Sequence, residues 1–267
     1  MIFFILVLFF INRTMISKNK LKELSKYKTG KFCDQDDVFV VEGSKMSVEA
    51  LMSDFEITTI CATEDWYINN RTLIRKKISP ENTYEVNDSD LERITALKTP
   101  NKVWMLLKRQ LSPAVETQKN QPTLVLDKIQ DPGNMGTIIR ICDWFGIRNI
   151  VCTPDTANCY NPKVVQASMG GIFRTNIIYT NIENYLDQCH NNNIPIYGAV
   201  LGGENICNIK LNDKNIAIVI GNESKGISPN VQQKITHKIM IPNIGGTCES
   251  LNASVATGII CHEFLSK

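Results

Sequence analysis

Three stretches of this chain place amide, hydroxyl and carboxylate side chains beside glycines directly after short apolar runs: "LDKIQDPGNMGTIIR", "IVIGNESKGIS" and "IMIPNIGGTCESLNAS". Each has the layout strand, polar turn, helix. The last raises a question, because "ESLNAS" (residues 249–254) crowds hydroxyl and amide groups just ahead of the apolar "VATGIICHEF". Such groups either cap the helix that follows or hold a ligand where its first backbone N–H groups point outward. Glycines at Gly133, Gly136, Gly221, Gly226, Gly245 and Gly246 allow positive φ and a close approach of backbone to ligand. For any one of them, ending a strand or a helix is the simpler account. If the three strands are neighbours in one sheet, their turns converge on one rim and form a pocket.

Several common chemistries do not fit these turns. "GNESKGIS" spaces its glycines as a phosphate loop does, but Ile227 stands where the phosphate-reaching lysine belongs. The first strand turn carries no GxGxxG, which argues against a dinucleotide. Ser250 lacks the GxSxG elbow of a serine hydrolase and has no evident histidine partner. The three histidines, His190, His237 and His262, show no ligand spacing, and the nine cysteines include no CxxC pair. No metal and no disulfide framework is expected, and a reducing cytoplasm suits this cysteine usage.

The elements that position the turns can be read from apolar periodicity. After a lysine-rich helical stretch, "KNKLKELSKY", the chain alternates "VFVVEG" (strand), "KMSVEALM" (helix), "EITTICA" (strand), an acidic helix around "DSDLERITAL" and the strand "KVWMLL". "RQLSPAVETQKNQPT" is polar, holds two prolines and has no apolar period, so it reads as a linker. Beyond it come "LVLDKI", a helix at "MGTIIRICDWFG", "NIVC", a helix at "KVVQASMG", "NIIY", a helix at "IENYLDQCH", "IPIYGAV", "NIAIVIG", "KIMIP" and a terminal helix from about Leu251. This alternation predicts an α/β fold with a mostly parallel sheet covered on both faces, and ligands in such sheets bind beyond the carboxyl ends of the strands. The expected division is residues 15–108 as one domain, 109–122 as linker and 123–267 as a second domain.

With 267 residues, 43% of them hydrophobic, the chain can bury a sizeable core, and its net charge of +2 is too mild to name a polyanionic partner. Placement says more: Lys18, Lys20, Lys22, Lys26, Lys28 and Lys31 face the single acid Glu23, although a solvated helix face is the common reason for such a run. The opening apolar run, residues 2–11, is about half the roughly 20 residues that span a bilayer. It lacks a basic start and a small-residue cleavage site. Translation from Met15 is therefore expected, with residues 1–14 a start-site artefact or short hydrophobic extension, and no membrane association.

Taken together, "DPGNMGTIIR", "VIGNESKGIS" and "IPNIGGTCESLNASVA" resemble, in order and spacing, the three signature motifs of the SpoU (TrmH-like) RNA 2'-O-ribose methyltransferases of the SPOUT superfamily. "YNPKVVQASMGGIFR" is similar to that family's segment between motifs one and two, and "FVVEGSKMSVEAL" with "ALKTPNKVW" resembles its small N-terminal substrate-binding domain. Ala253 departs from a frequent valine. The resemblance implies a C-terminal SPOUT domain with a deep trefoil knot, preceded by a small α/β (L30e-like) domain, S-adenosylmethionine as cofactor and a homodimer. It implies Arg140, Asn134, Glu223, Ser250 and Asn252 as catalytic residues. Cofactor contacts would come from Ala199, Val200, Leu201, Gly221, Ile241, Ser250 and Leu251, and RNA contacts from Lys18, Lys20, Lys22, Lys28, Lys31, Lys163 and Arg174. Ser250 would also be free to cap the last helix. Ribosomal RNA is the expected substrate, with transfer RNA as the alternative. A non-catalytic RNA-binding assembly factor of the same fold is the reading from another class.

Overall fold

The computed structural model describes residues 14–110, 121–211 and 214–266. The expectations for the apolar N-terminus and for most of the linker fall on residues 1–13 and 111–120, outside the described residues. The chain divides into two compact units, Met1–Gln110 and Leu111–Lys267.

The first unit is a five-stranded mixed sheet. Its strands are β1 (Thr14–Met15), β2 (Val38–Glu42), β3 (Ile57–Ala62), β4 (Thr83–Glu85) and β5 (Val103–Lys108), in spatial order β1-β4-β3-β5-β2. Its helices are α1 (Lys18–Ser25), α2 (Ser44–Met52), α3 (Glu64–Lys77) and α4 (Asp88–Ile94). Because side chains alternate along a strand, β2, buried throughout, and β5, buried except at Lys108, serve both faces of the sheet. Val38, Val40, Cys61, Trp104 and Leu106 pack with Leu21 and Leu24 of α1 and Leu91 and Ile94 of α4. Their neighbours Phe39, Val41, Ile60, Met105 and Leu107 are equally buried and point the opposite way, toward the side of α2 and α3, whose Met46, Ala50, Leu51, Trp66 and Ile74 are buried. Helix α3, fourteen residues long, was not anticipated from the sequence.

The second unit is a six-stranded parallel sheet, β6 (Thr123–Asp127), β7 (Asn149–Cys152), β8 (Asn176–Tyr179), β9 (Ile196–Asn205), β10 (Ala217–Gly221) and β11 (His237–Met240), ordered β11-β9-β10-β6-β7-β8. The helices are α5 (Pro132–Trp144), α6 (Pro162–Ser168), α7 (Ile182–Asn191), α8 (Pro229–Gln232) and α9 (Ala253–Leu265). One face of the sheet buries Val125, Val151, Ala217 and Val219 against α7 and α8. Helices α5, α6 and α9 bring Ile138, Ile139, Val164, Ile260 and Phe264 into the remaining core. The order corrects one expectation. Strands β6 and β10 are neighbours, but β11 is separated from β10 by β9, so the three turns do not follow three adjacent strands.

Two features shape the rim at the strand ends. Along β11, Lys238 pairs with Gly198 and the next residue, Ile239, pairs with Glu204, so residues 199–203 of β9 bulge out of the ladder. Gly203 lies against the backbone of Ile239, where an added Cβ would stand 2.6 Å from its carbonyl carbon. Among the described residues no helix is long and apolar enough to cross a membrane, and none of their side chains form a group that could hold a metal ion.

Candidate active site

Each motif turn is built by local hydrogen bonding. In the first, Asp131 caps α5 by accepting the N–H of Asn134 at 2.7 Å, with Pro132 following at the first helical turn. The apolar residues Met135, Ile138, Ile139 and Cys142 are buried at helical spacing, which fixes the opposite face outward and leaves Arg140 exposed. Gly136 is where α6 crosses, since a Cβ there would meet the Val164 carbonyl oxygen at 2.6 Å.

In the second, Asn222 and Gly226 exchange both backbone hydrogen bonds, 3.1 and 2.9 Å, and Gly226 takes φ 67°. That conformation favours glycine. The turn folds back so closely that a Cβ on Gly221 would lie 2.3 Å from Gly226 and Ile227 backbone atoms. It is pinned to the end of β6 twice: Ser228 N–H donates to Asp127 Oδ2 at 2.7 Å, and Asn222 Nδ2 donates to the carbonyl of Lys128 at 2.9 Å. Lys128 itself takes φ 62°.

In the third, α9 begins at Ala253 rather than about Leu251, and its cap is Asn252, not Ser250. The Asn252 Oδ1 accepts the N–H groups of Ser254 and Val255 at 3.0 and 3.3 Å and the Ser254 hydroxyl at 2.6 Å. Asparagine with two backbone donors within reach makes the better cap here because residue 250 lies outside the helix by two positions. Ser250 stays exposed and makes no hydrogen bond among the described residues.

These turns are joined to one another. Asn134 Nδ2 donates to Glu223 Oε1 at 2.7 Å, and Asn252 Nδ2 donates to Asn134 Oδ1 at 2.8 Å. Asn134, almost fully buried, thus uses its amide nitrogen toward the second motif and its oxygen toward the third. Six residues further along α5 and on its exposed side, Arg140 makes no ion pair or hydrogen bond among the described residues. An exposed guanidinium on the helix that begins at this fixed amide network can orient an anionic substrate group and bear developing negative charge.

The expected cofactor residues lie at this end of the sheet or close to it. Ala199, Val200 and Leu201 are on the β9 bulge, with Leu201 85% exposed, and Gly221 ends β10. Ile241 follows β11, and Leu251, 47% exposed, precedes α9. In the core of this unit Cys142, Cys152 and Cys261 are buried, which pushes Cys261 up to about 12 and the other two well above the usual thiol range. They are packed thiols, not nucleophiles.

Of the expected RNA contacts, Lys163 is exposed at the start of α6 with no ion pair among the described residues. Arg174 instead grips Asp143 of α5 through two hydrogen bonds of 2.8 and 2.9 Å. In the first unit, Lys20 pairs with Glu23 at 2.9 Å and Lys28 donates to the Glu92 carbonyl at 3.2 Å, whereas Lys18, Lys22 and Lys31 are exposed without such partners among the described residues. Asp127 and Asn222 join the set only through the fold: an acid and an amide stand at strand ends in the sequence, but nothing local says that they clasp each other's turn.

Comparison with known proteins agrees with this geometry. Residues 121–262 match the model of the SpoU rRNA methylase family, and residues 18–104 match that of the MRM3-like substrate binding domain. The chain is 25% identical over 245 residues to the Bacillus subtilis 23S rRNA (guanosine(2553)-2'-O)-methyltransferase RlmP, covering 91% of this chain and 94% of that one. A putative RNA methyltransferase of the TrmH family from Porphyromonas gingivalis superposes with TM-score 0.81 at 34% identity, over 95% of this chain and 99% of that one. An AdoMet-bound rRNA methyltransferase from Sinorhizobium meliloti gives TM-score 0.83 at 25% identity, over 95% and 97%. With more than half its length matched by the family model and its three motif turns tied into one hydrogen-bonded site, this chain belongs to the SpoU rRNA methylase family.

Proposed function

We propose that this protein transfers a methyl group from S-adenosylmethionine to the ribose 2'-oxygen of a ribosomal RNA nucleotide. The observation that carries the reading is the chain Glu223–Asn134–Asn252, which draws all three motifs into one site, with Arg140 exposed and unpaired among the described residues on the helix that Asn134 opens. The kinship with RlmP, named as a 23S rRNA 2'-O-methyltransferase, favours ribosomal over transfer RNA.

The residues present suit the cofactor. The β9 bulge and the turn before α9 offer backbone that no side chain shields, since at Gly202 and Gly245 the space a Cβ would take is open. Leu201 and Leu251 add apolar surface next to those polar groups. Held there, S-adenosylmethionine would supply an electrophilic sulfonium methyl, whose transfer to the 2'-oxygen would leave a neutral thioether and pass the hydroxyl proton to water.

The protein's task is alignment and charge. Arg140 grips the phosphate of the target nucleotide and polarises its 2'-oxygen, because a guanidinium offers five donors in a fixed fork and no acceptor. It is not a base. Asn134, held at both ends of its amide, and Glu223 fix the geometry of the site. Asn252 acts through the α9 cap and its bond to Asn134, while the exposed Ser250 hydroxyl faces substrate. Lys163 and cations of the first unit hold the RNA backbone.

A homodimer is supported by apolar surface on the C-terminal helices. Val255 and Ile259, one turn apart on α9, are 50% and 38% exposed, and Trp144 at the end of α5 is 84% exposed. Solvent contact over such residues is costly. A cytoplasmic setting is supported by nine cysteines that form no disulfide among the described residues. Comparing 2'-O-methyl sites in ribosomal RNA from a deletion strain and its parent tests the function: one site should vanish, and an unchanged map would refute the reading.

A further inference from the structure

The first unit carries two basic helices, and the sheet separates them. Helix α1 packs with α4 on the face bearing Val38, Val40, Trp104 and Leu106. Helix α3 lies with α2 on the face bearing Phe39, Val41, Met105 and Leu107. One stiff RNA helix cannot lie flat on both faces, so one of the two supplies the main grip.

The cations of α1 and of the turn after it are answered in part within the fold, with Lys18, Lys22 and Lys31 exposed and unpaired among the described residues, and they share their face with acids. Lys20 pairs with Glu23 at 2.9 Å and Lys26 with Asp36 at 2.7 Å, while Lys28 bonds the Glu92 carbonyl. Helix α4, beside it, adds the acids Asp88, Asp90 and Glu92. Helix α3 differs. Its acids, Glu64 and Asp65, sit in its first turn, and between Asp65 and Glu81 the sequence has no acid at all. Along that stretch Arg71, Arg75 and Lys76 are exposed and make no ion pair or hydrogen bond among the described residues. Lys77 is turned inward, donating to the Ser53 carbonyl.

Favourable placement of cations at a helix C-terminus accounts for Arg75 and Lys76. It does not account for Arg71, in the middle of the helix. Arg71 and Arg75 stand one turn apart, with Cβ atoms about 5–6 Å from each other, and a guanidinium fork suits phosphate oxygens better than an ammonium does.

We propose that the exposed face of α3, through Arg71, Arg75 and Lys76, is the surface by which the first unit grips the phosphate backbone of the substrate RNA, and that α1 is secondary. This rests on the reading of the protein as an RNA methyltransferase. Phosphate contacts of this kind supply affinity without sequence preference and weaken steeply with salt.

The test uses two full-length triple variants of equal charge change: Arg71→Gln/Arg75→Gln/Lys76→Gln, and Lys18→Gln/Lys22→Gln/Lys31→Gln. Binding to purified bulk ribosomal RNA is titrated at several salt concentrations, with calorimetric S-adenosylmethionine affinity as the check on folding of the second unit and circular dichroism as the check on the whole chain. The α3 variant should bind RNA roughly 10- to 100-fold more weakly and lower the slope of log Kd against log salt by about 2, with cofactor affinity unchanged. The α1 variant should lose only a few-fold. Equal losses, or a larger loss in the α1 variant, would overturn the assignment while leaving the methyltransferase reading intact. Wild-type protein that binds cofactor but no RNA would overturn both.

Discussion

The side-chain amide of Asn252 donates to Asn134 Oδ1 at 2.8 Å, joining residues 118 apart in sequence, while its own oxygen caps α9. One side chain therefore starts the last helix and locks the first motif to the third. Asn252→Ala should lower stability by about 1–2 kcal/mol through loss of the cap and of a half-buried bond. Asn252→Asp keeps the capping oxygen but turns an acceptor toward Asn134. It should stay closer to wild type in urea midpoint while losing methyl transfer; parallel losses of both would show that the Asn134 contact has no separate role.

Arg140 is exposed and unpaired among the described residues, so its removal costs the fold little. Arg140→Ala should reduce kcat by about 100-fold or more, the scale for losing a donor aimed at developing charge. Cofactor affinity should be nearly unchanged, and Arg140→Lys should not restore the rate, because a point charge lacks the guanidinium fork. Isothermal titration and single-turnover kinetics read the two quantities separately.

Gly221 has no room for a side chain, with turn backbone 2.3 Å from the position a Cβ would take. Gly221→Ala must push the turn holding Glu223 outward, costing about 1–3 kcal/mol. It should weaken S-adenosylmethionine binding more than RNA binding. Gly245→Ala, where only φ and not space opposes a Cβ, should affect the cofactor less.

Glu42 of β2 is buried, accepting the Ala96 N–H at 3.0 Å and the Thr95 hydroxyl. Burial raises its pKa above the usual 4.5 despite those bonds. Folding therefore favours the protonated form. Its contribution to stability is full below the unfolded pKa and is lost as pH rises through the higher folded value. The stability of wild type relative to Glu42→Gln should be greatest in acid and decline toward neutral pH, read from urea midpoints across that range. A difference that grows with pH would mean that the carboxylate is stabilised in place.

Much of this was legible in the sequence. Short apolar runs gave the parallel strands, because strands buried on both faces need no polar alternation, and glycine with amide clusters marked the three turns. Helix α3 escaped because only Trp66 and Ile74 are buried along its fourteen residues, too sparse a stripe for the apolar period to register. Strand order was also hidden: nothing local in "KIMIP" says that β9 lies between it and β10. The cap moved from Ser250 to Asn252 because the turn's closure onto Asn134, a long-range contact, decides where the helix begins.

The central claim is tested most directly by incubating the protein with methyl-labelled S-adenosylmethionine and unmodified ribosomal RNA, then hydrolysing the RNA in alkali. Alkaline cleavage needs a free 2'-hydroxyl, so a 2'-O-methylated nucleotide survives in an uncleaved dinucleotide. The label should appear in one such alkali-stable dinucleotide and disappear with Arg140→Ala. Label recovered in mononucleotides, or no incorporation by protein that binds both ligands, would contradict the account.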